Sequence, residues 1–294
     1  LHPRVRRQRQ MCIRDRIYIP SQLQYLIKKG GIHMKQLNWA TLGCGVIANE
    51  LAQALSKEGR TLYSVANRTH EKAQAFAQKY GISKVYDNID DVFYDPDVDI
   101  IYISTPHNTH INYLRKALSN GKHVLCEKSI TLNITELDEA ISLAKANNVI
   151  LAEAMTIYHM PVYKKLNKII SSGQLGRLNL IQVNFGSYKD YNMTNRFFSR
   201  KLAGGALLDI GVYSLSLIRW FFKETPSHVL SQVRYAPTGV DEQAGILLMN
   251  DAAEMATVTL SLHSKQPKRA TLSFDKAYAV SYTHLRAHET SQDL

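Results

Sequence analysis

The chain has 294 residues, and its 36 Lys and Arg against 25 Asp and Glu give a formal charge of +11 at pH 7. Residues 1–33 hold eight of the basic residues and a single Asp, so most of the charge lies there and residues 34–279 retain only +5. A net charge of +5 over residues 34–279 does not indicate a nucleic-acid-binding protein.

Cysteine content and hydropathy exclude two further classes of protein. Only Cys44 and Cys126 lie in residues 34–279, so no disulfide framework is expected and a cytoplasmic protein is favoured. The longest apolar stretch, Ala206–Phe222, is interrupted by two charged residues, so no membrane span is expected.

The two ends of the chain are related as nucleic acid. Codons allowed for Met11–Asp15 (ATG TGT ATA AGA GAC) have a reverse complement that encodes Val280–His284. A ribosome-binding sequence can also be encoded just before Met34. We therefore expect residues 1–33 to be adapter and translated leader, and residues 280–294 to be an adapter-derived tail.

The first part of the expected protein, residues 34–154, alternates short apolar strands with helices. The expected strands are Trp39–Leu42, Thr61–Ala66, Val98–Ser104, His123–Cys126 and Val149–Ala152. The expected helices are Val46–Ser56, His70–Tyr80, His110–Ser119 and Leu137–Ala146, the last starting after Asn133. This alternation predicts a Rossmann-type α/β domain with a doubly wound parallel sheet.

The second part, residues 155–279, changes pattern. Helices are expected at Pro161–Ser171 and Ala206–Phe222, and strands at Leu178–Gly186, His228–Val233, Ala244–Met249, Met255–Leu262 and Ala270–Phe274. Strands that follow one another without helices predict an α+β domain with a largely antiparallel, open sheet. The pattern meets the tail at residue 280, so this domain is expected to be truncated.

A glycine loop joins the first strand to the first helix. Gly43 and Gly45 belong to a GxGxxA motif, with Val46 and Ile47 at the start of the helix. Glycines permit a tight turn and close approach of the backbone to pyrophosphate, and the helix N-terminus supplies N–H donors. The motif alone is weak, but its position between strand and helix predicts dinucleotide binding.

The end of the second strand indicates which dinucleotide binds. NAD sites usually place a carboxylate there, whereas this chain has Asn67 and Arg68. A guanidinium at this point favours the 2′-phosphate of NADP over NAD, although Arg68 could also be a solvated residue at a helix start.

Three more segments, together with the glycine loop, resemble the Gfo/Idh/MocA family of oxidoreductases. They are Thr105–His110, Glu127–Ser129 and Gly204–Tyr213, in the order and approximate spacing of that family. Glu153-Ala154-Met155 and the Asp-x-Gly-x-Tyr helix resemble its branch of dihydrodiol and aldose (xylose-type) dehydrogenases. The resemblance implies hydride transfer to or from a sugar, polyol or cyclic diol.

The resemblance also implies the catalytic residues. Lys128 matches the family's catalytic lysine, although Ser129 stands where the family has Pro, which questions the rigidity of this loop. Asp209 and Tyr213 are four residues apart and would share a helix face, with Tyr213 in the place where many members have His. Lys128 and Tyr213 would handle the proton, and Asp209 would orient substrate hydroxyls.

Cofactor contacts are expected at Thr105, Pro106 and Glu127. No grouping of His, Cys and Asp has zinc spacing, so no metal is expected. Many members of the family dimerise through the open sheet, so a homodimer through the C-terminal sheet is expected. The other partner is a small sugar-like substrate.

Two other functions remain open. One is an NAD-dependent glycosidase on the same fold, in which the hydride returns to the substrate. The other is a non-enzymatic regulator that binds the dinucleotide, which the presence of Lys128 and Tyr213 disfavours.

Overall fold

The computed structural model describes residues 17–18 and 36–282, which form two compact units divided between Ala154 and Met155. Most of the leader and tail predicted from the sequence lies outside these residues. Two pieces lie within them: Ile17–Tyr18 forms a strand, and residues 280–282 are the last three of the strand Tyr278–Tyr282. Strand pairing does not test where a segment was encoded, so the leader and tail remain predictions.

The first domain is built on a seven-stranded sheet in the order β1-β7-β6-β5-β2-β3-β4, in which only β1 pairs antiparallel. The strands are β1 Ile17–Tyr18, β2 Trp39–Leu42, β3 Ser64–Ala66, β4 Lys84–Val85, β5 Ile100–Ile103, β6 His123–Cys126 and β7 Leu151–Glu153. The predicted doubly wound sheet is confirmed.

Helices cover the sheet through two separate apolar clusters. They are α1 Val46–Lys57, α2 His70–Tyr80, α3 Asp91–Tyr94, α4 His110–Ser119 and α5 Ile134–Ala146. The buried apolar side chains of α1 and α2 belong to one cluster, and those of α4 and α5 belong to the other. The side chain of Asn133 accepts from the N–H of Glu136 at 2.9 Å and so begins α5, as the sequence pattern indicates.

The order of the strands in the first sheet determines where the loops with the predicted cofactor residues lie. β2 lies in the middle of the sheet, between β3 and β5. From β2 the strand order continues in one direction through β3 and β4, and it reverses when β5 is added on the other side of β2. Loops that follow β2, β3, β5 and β6 leave the same carboxyl edge, which is where open α/β sheets bind their ligands. The glycine loop, Arg68, Thr105 and Lys128 are on these loops.

The second domain has a six-stranded sheet in the order β13-β12-β8-β11-β10-β9, in which only β8 and β11 pair parallel. The strands are β8 Leu178–Gly186, β9 His228–Tyr235, β10 Asp241–Met249, β11 Met255–Ser261, β12 Arg269–Phe274 and β13 Tyr278–Tyr282. The helices are α6 Pro161–Ser171 and α7 Val212–Phe221. The prediction of a largely antiparallel sheet is confirmed.

The long helix predicted at Ala206–Phe222 differs in its first turn. Leu207–Gly211 forms a π-helical turn, and the α-helix α7 begins at Val212. A Cβ on Gly211 would lie 2.8 Å from Leu260 Cδ1, so the glycine lets this turn pack closely on β11. Single π turns inside helices are frequent at functional sites.

By length and composition, one helical stretch in the described residues, Arg200–Phe221, is apolar enough to cross a membrane, with a mean hydropathy of 1.4. From the sequence no membrane span is expected here, because Asp209 and Arg219 interrupt the apolar run. Within that stretch 56 % of the tested window is buried. The core helix of a folded domain passes the same test, and Ile210, Leu217 and Ile218 belong to the apolar core of the second domain.

Candidate functional site

The first glycine of the loop has a conformation that other residues rarely adopt. Gly43 has φ +106°, and its N–H donates to the carbonyl of Ala66 at 2.8 Å. A Cβ at this position would lie 2.9 Å from Ser104 Oγ and 3.1 Å from Ser104 O. Gly43 therefore makes the tight turn and allows β2 and β5 to end close together.

The second glycine leaves the start of α1 open. Gly45 is the N-cap, no side chain caps the helix, and no acidic residue lies in its first turn. A Cβ on Gly45 would meet nothing within 4 Å, and Val46 is 75 % exposed. Uncapped N–H groups, free space and an exposed apolar side chain fit a ligand that brings an anionic group to the helix N-terminus.

Positive charge lies beside this loop. Arg68 is exposed, and Asn67 donates from Nδ2 to the carbonyl of Thr69 at 2.9 Å, which orders the turn into α2. Burial raises the pKa of Cys44 within the glycine loop, and the nearby charge of Lys72 opposes this rise. Lys72, in the first turn of α2, was missed in the sequence, although a second basic residue four positions after Arg68 was the available signal.

The loop after β5 is held by its own hydroxyl groups. Thr109 Oγ1 is 2.8 Å from Thr105 Oγ1 and 2.7 Å from the carbonyl of Pro106. Thr105 is half-buried and Pro106 is exposed at the carboxyl edge of the sheet. Both are therefore placed where a ligand above the glycine loop would meet them.

A half-buried carboxylate precedes the candidate catalytic lysine. Tyr102 on β5 donates to Glu127 Oε1 at 2.5 Å, and Glu127 Oε2 accepts from the N–H of Lys128 at 3.3 Å. Burial raises the pKa of Glu127, while the hydrogen bond from Tyr102 and the charge of Lys128 oppose this rise. Lys128 is itself 7 % exposed, and its peptide bond to Ser129 is cis. Tyr102 was missed, because a tyrosine in a buried strand gives no distinct sequence signal.

The second domain holds the other two candidate catalytic residues. Asp209 lies in the π turn and Tyr213 in the first turn of α7, and they are only 3 % and 6 % exposed. The ring of Tyr213 packs on Phe185 of β8 at 6.0 Å between centroids. Residues four apart lie on one face of a regular α-helix, but a π turn has more residues per turn. Asp209 and Tyr213 therefore share a helix face only approximately.

An aspartate far away in sequence fixes the start of this helical segment. Asp241 Oδ2 accepts from the N–H of Leu207 at 2.6 Å. Gly205, with φ +118°, leaves room for Asp241, because a Cβ there would collide with its carboxylate. Burial raises the pKa of Asp241, and the N–H donors of Leu207 and Ala206 counter this effect. Asp241 thus caps the turn that carries Asp209.

Replacing Asp241 with Ala is expected to destabilise the second domain by about 1 kcal/mol, the usual cost of losing such a cap. Asp241→Asn keeps an oxygen that accepts and should recover most of this loss. Differential scanning calorimetry compares the two variants with the parent chain. Equal melting temperatures for Asp241→Ala and the parent would show that Asp241 does not hold the turn.

The predicted site residues fall into two groups. Gly43, Gly45, Arg68, Thr105 and Lys128 lie at one edge of the first domain's sheet, on loops that follow four of its strands. Asp209 and Tyr213 belong to the second domain, so their joint action with Lys128 stays a prediction. Among the described residues no group of three or more His, Cys, Asp or Glu could hold a metal ion, and the expected lack of a metal also stays a prediction.

Two domain families match the chain. Residues 37–155 match the GFO_IDH_MocA domain, described as "Oxidoreductase family, NAD-binding Rossmann fold". Residues 163–280 match the GFO/IDH/MocA C-terminal domain. The two matches together span well over half of the chain.

Individual proteins are similar over most of this length. The trans-1,2-dihydrobenzene-1,2-diol dehydrogenase of Xenopus tropicalis is 32 % identical over 238 residues, covering 80 % of this chain and 72 % of that protein. The aldose-aldose oxidoreductase of Caulobacter crescentus, solved with glycerol, has a TM-score of 0.79 at 25 % identity, covering 87 % and 79 % of the two chains. A 3-ketoreductase of Actinomadura kijaniata, solved with NADP, has a TM-score of 0.75 at 22 % identity, covering 82 % and 74 %, and shows the fold alone.

Proposed function

Since the chain belongs to the Gfo/Idh/MocA oxidoreductase family and is a nicotinamide-dependent dehydrogenase of that family, we propose that it acts on a sugar, polyol or cyclic diol with NADP as the preferred cofactor. The open N-terminus of α1 behind Gly45 is the observation that carries the cofactor part of this proposal. The diol and aldose oxidoreductases that the chain resembles support the substrate class.

The cofactor and the side chains have separate roles in the proposed reaction. When bound, the nicotinamide accepts or donates the hydride. Lys128 supplies positive charge for the reacting oxygen and moves its proton. In the second domain, Tyr213 supplies a hydroxyl donor and Asp209 a carboxylate for substrate hydroxyls. Glu127, anchored by Tyr102, places a carboxylate next to Lys128 in the chain, and the charge of Lys128 in turn lowers the pKa of Glu127.

The dinucleotide would be held by the residues that surround the glycine loop. Gly43 and Gly45 would admit the pyrophosphate to the N–H groups of α1, where Val46 is exposed. Thr105 and Pro106 would also contact the dinucleotide. Arg68 binds the 2′-phosphate, and Lys72, whose charge reaches Cys44, adds to the positive potential there.

Replacing Arg68 with Ser is expected to weaken NADPH binding by roughly 10-fold, since a charge-assisted contact with the 2′-phosphate is lost. Binding of NADH, which lacks that phosphate, should change by less than about twofold. Fluorescence titrations with the two dinucleotides measure both effects. Arg60→Ser, at a half-buried arginine of the same domain, is the control. An equal loss of affinity for both dinucleotides would remove Arg68 from the 2′-phosphate site.

We also propose a homodimer through the second sheet. Its edge strand β9 exposes large apolar side chains, since Val229 is 60 % and Leu230 69 % exposed. Apolar side chains in series on a strand at the edge of a sheet support pairing with another chain. Light scattering after size exclusion distinguishes a dimer from a monomer.

The substrate class is tested by incubating the full chain with NADP⁺ and trans-1,2-dihydrobenzene-1,2-diol, myo-inositol or xylose. Net growth of the nicotinamide absorbance with any of them is the expected result. Cleavage of a glycoside without net absorbance change would instead favour the glycosidase. Dinucleotide binding without either reaction would favour a regulator.

A further inference from the structure

A fully buried histidine connects two of the loops that form the proposed site. His110 is the first residue of α4 and has no exposed surface. Its Nε2 is 2.8 Å from the carbonyl of Thr105, and its Nδ1 is 2.8 Å from the carbonyl of Ser129. One ring thus contacts the loop expected to line the cofactor and the loop that carries Lys128.

A second buried group holds the lysine loop from the other side. Glu153 at the end of β7 is 6 % exposed, and its Oε1 accepts from the N–H of Ile130 at 3.1 Å. The residues that follow Lys128 are therefore fixed by His110 through a carbonyl and by Glu153 through an N–H group. The negative charge of Glu153 also acts on the ring of His110.

The two contacts are hydrogen bonds together only when the ring is protonated. A neutral imidazole has one N–H and donates to one of the two carbonyls, whereas an imidazolium donates to both. Burial lowers the pKa of His110, while the carbonyls of Thr105 and Ser129 and the carboxylate of Glu153 oppose this fall. In both forms the ring is fully buried between the loops.

We propose that His110 is a positioning residue that sets the loop of Lys128 relative to the cofactor-lining loop of Thr105. It acts through these two carbonyls and touches neither substrate nor cofactor. This inference rests on the proposed function, since it assigns His110 to the positioning of that site. A shift of either loop would move the lysine relative to the ligand that Thr105 lines, and small displacements of this kind are costly in active sites.

The test compares three variants of the full chain. His110→Phe keeps a ring but has no N–H, and His110→Gln keeps one donor. Leu114→Ala is the control, because Leu114 is fully buried in the same helix and takes no part in the bridge. NADPH affinity and hydrogen exchange of residues 104–106 and 128–130 are measured at a temperature where all variants are folded.

His110→Phe is expected to bind NADPH roughly 10-fold more weakly and to exchange faster in both segments together, with His110→Gln intermediate. Leu114→Ala should lower thermal stability without these two effects. Unchanged exchange in His110→Phe, or the same changes in Leu114→Ala, would overturn the proposal. If even the parent chain binds no dinucleotide, the proposed function fails, and the exchange data still decide whether the bridge exists.

Discussion

Lys128→Met is expected to lower kcat by about 10²–10⁴-fold while leaving NADPH affinity within a few fold, because general acid–base catalysis contributes that much and the lysine does not bind the phosphates. Lys128 is 7 % exposed, so methionine replaces the charged side chain with an apolar one of similar length in a buried place. The two carboxylate oxygens of Glu127 keep their contacts with Tyr102 and the backbone. Turnover of trans-1,2-dihydrobenzene-1,2-diol, or of the best substrate found, measures the effect.

The control for this variant is another lysine of the same domain. Lys116 pairs with Asp90 at 2.6 Å, and both side chains are partly exposed, so Lys116→Met should change turnover and stability little. A Lys128→Met enzyme with more than about a tenth of the parent kcat would contradict the role assigned to the lysine.

Gly45→Val is expected to weaken NADPH binding by roughly 100-fold or more, which corresponds to about 2.7 kcal/mol, without lowering the melting temperature. Gly45 has φ −74°, a value open to every residue, and a Cβ there meets no atom within 4 Å. The added side chain therefore costs the ligand-free fold little. It would occupy the space through which the pyrophosphate reaches the N–H groups of α1.

Two further substitutions separate a loss of NADPH binding from a loss of fold stability. Gly43→Val should lose both binding and stability, since its φ of +106° and its approach to Ser104 leave no room for a side chain. Gly245→Val in the second domain has the same free space as Gly45, and it should leave NADPH binding unchanged. Undiminished NADPH binding by Gly45→Val would show that the pyrophosphate does not pass this glycine.

The elements around the cofactor site could be predicted because their signals are local. The bounds of α2 and α4 agree with the sequence to the residue, since His70–Tyr80 ends before a glycine with φ +65° and His110–Ser119 follows a proline-containing loop. The glycine loop is likewise contained in a few adjacent residues. Its place beside the strand switch followed from the alternation of strands and helices.

The contacts that hold the site could not be predicted, because their partners are distant in sequence. His110 meets Ser129 across 19 residues, and Leu207 meets Asp241 across 34. No periodicity encodes either pair. They depend on which loops the sheet topology brings to one edge, and that information exists only once the strand order is known.

The π turn at Leu207–Gly211 was not predicted, for a different reason. Leu207–Gly211 has the composition of an ordinary apolar helix, so the spacing of Asp209 and Tyr213 suggested one shared face. The wider turn follows from packing, since Gly211 lies against Leu260 and Asp241 fixes the N–H of Leu207. Helical propensity alone does not distinguish these two geometries.

The proposed function depends on the binding of a nicotinamide dinucleotide at the glycine loop, with NADP preferred. A fluorescence titration of the full chain with NADPH and with NADH tests it most directly, with circular dichroism to establish that the sample is folded. We expect saturable binding of both, with NADPH roughly 10-fold tighter. A folded sample that binds neither dinucleotide would contradict the claim, and a preference for NADH would overturn the role given to Arg68.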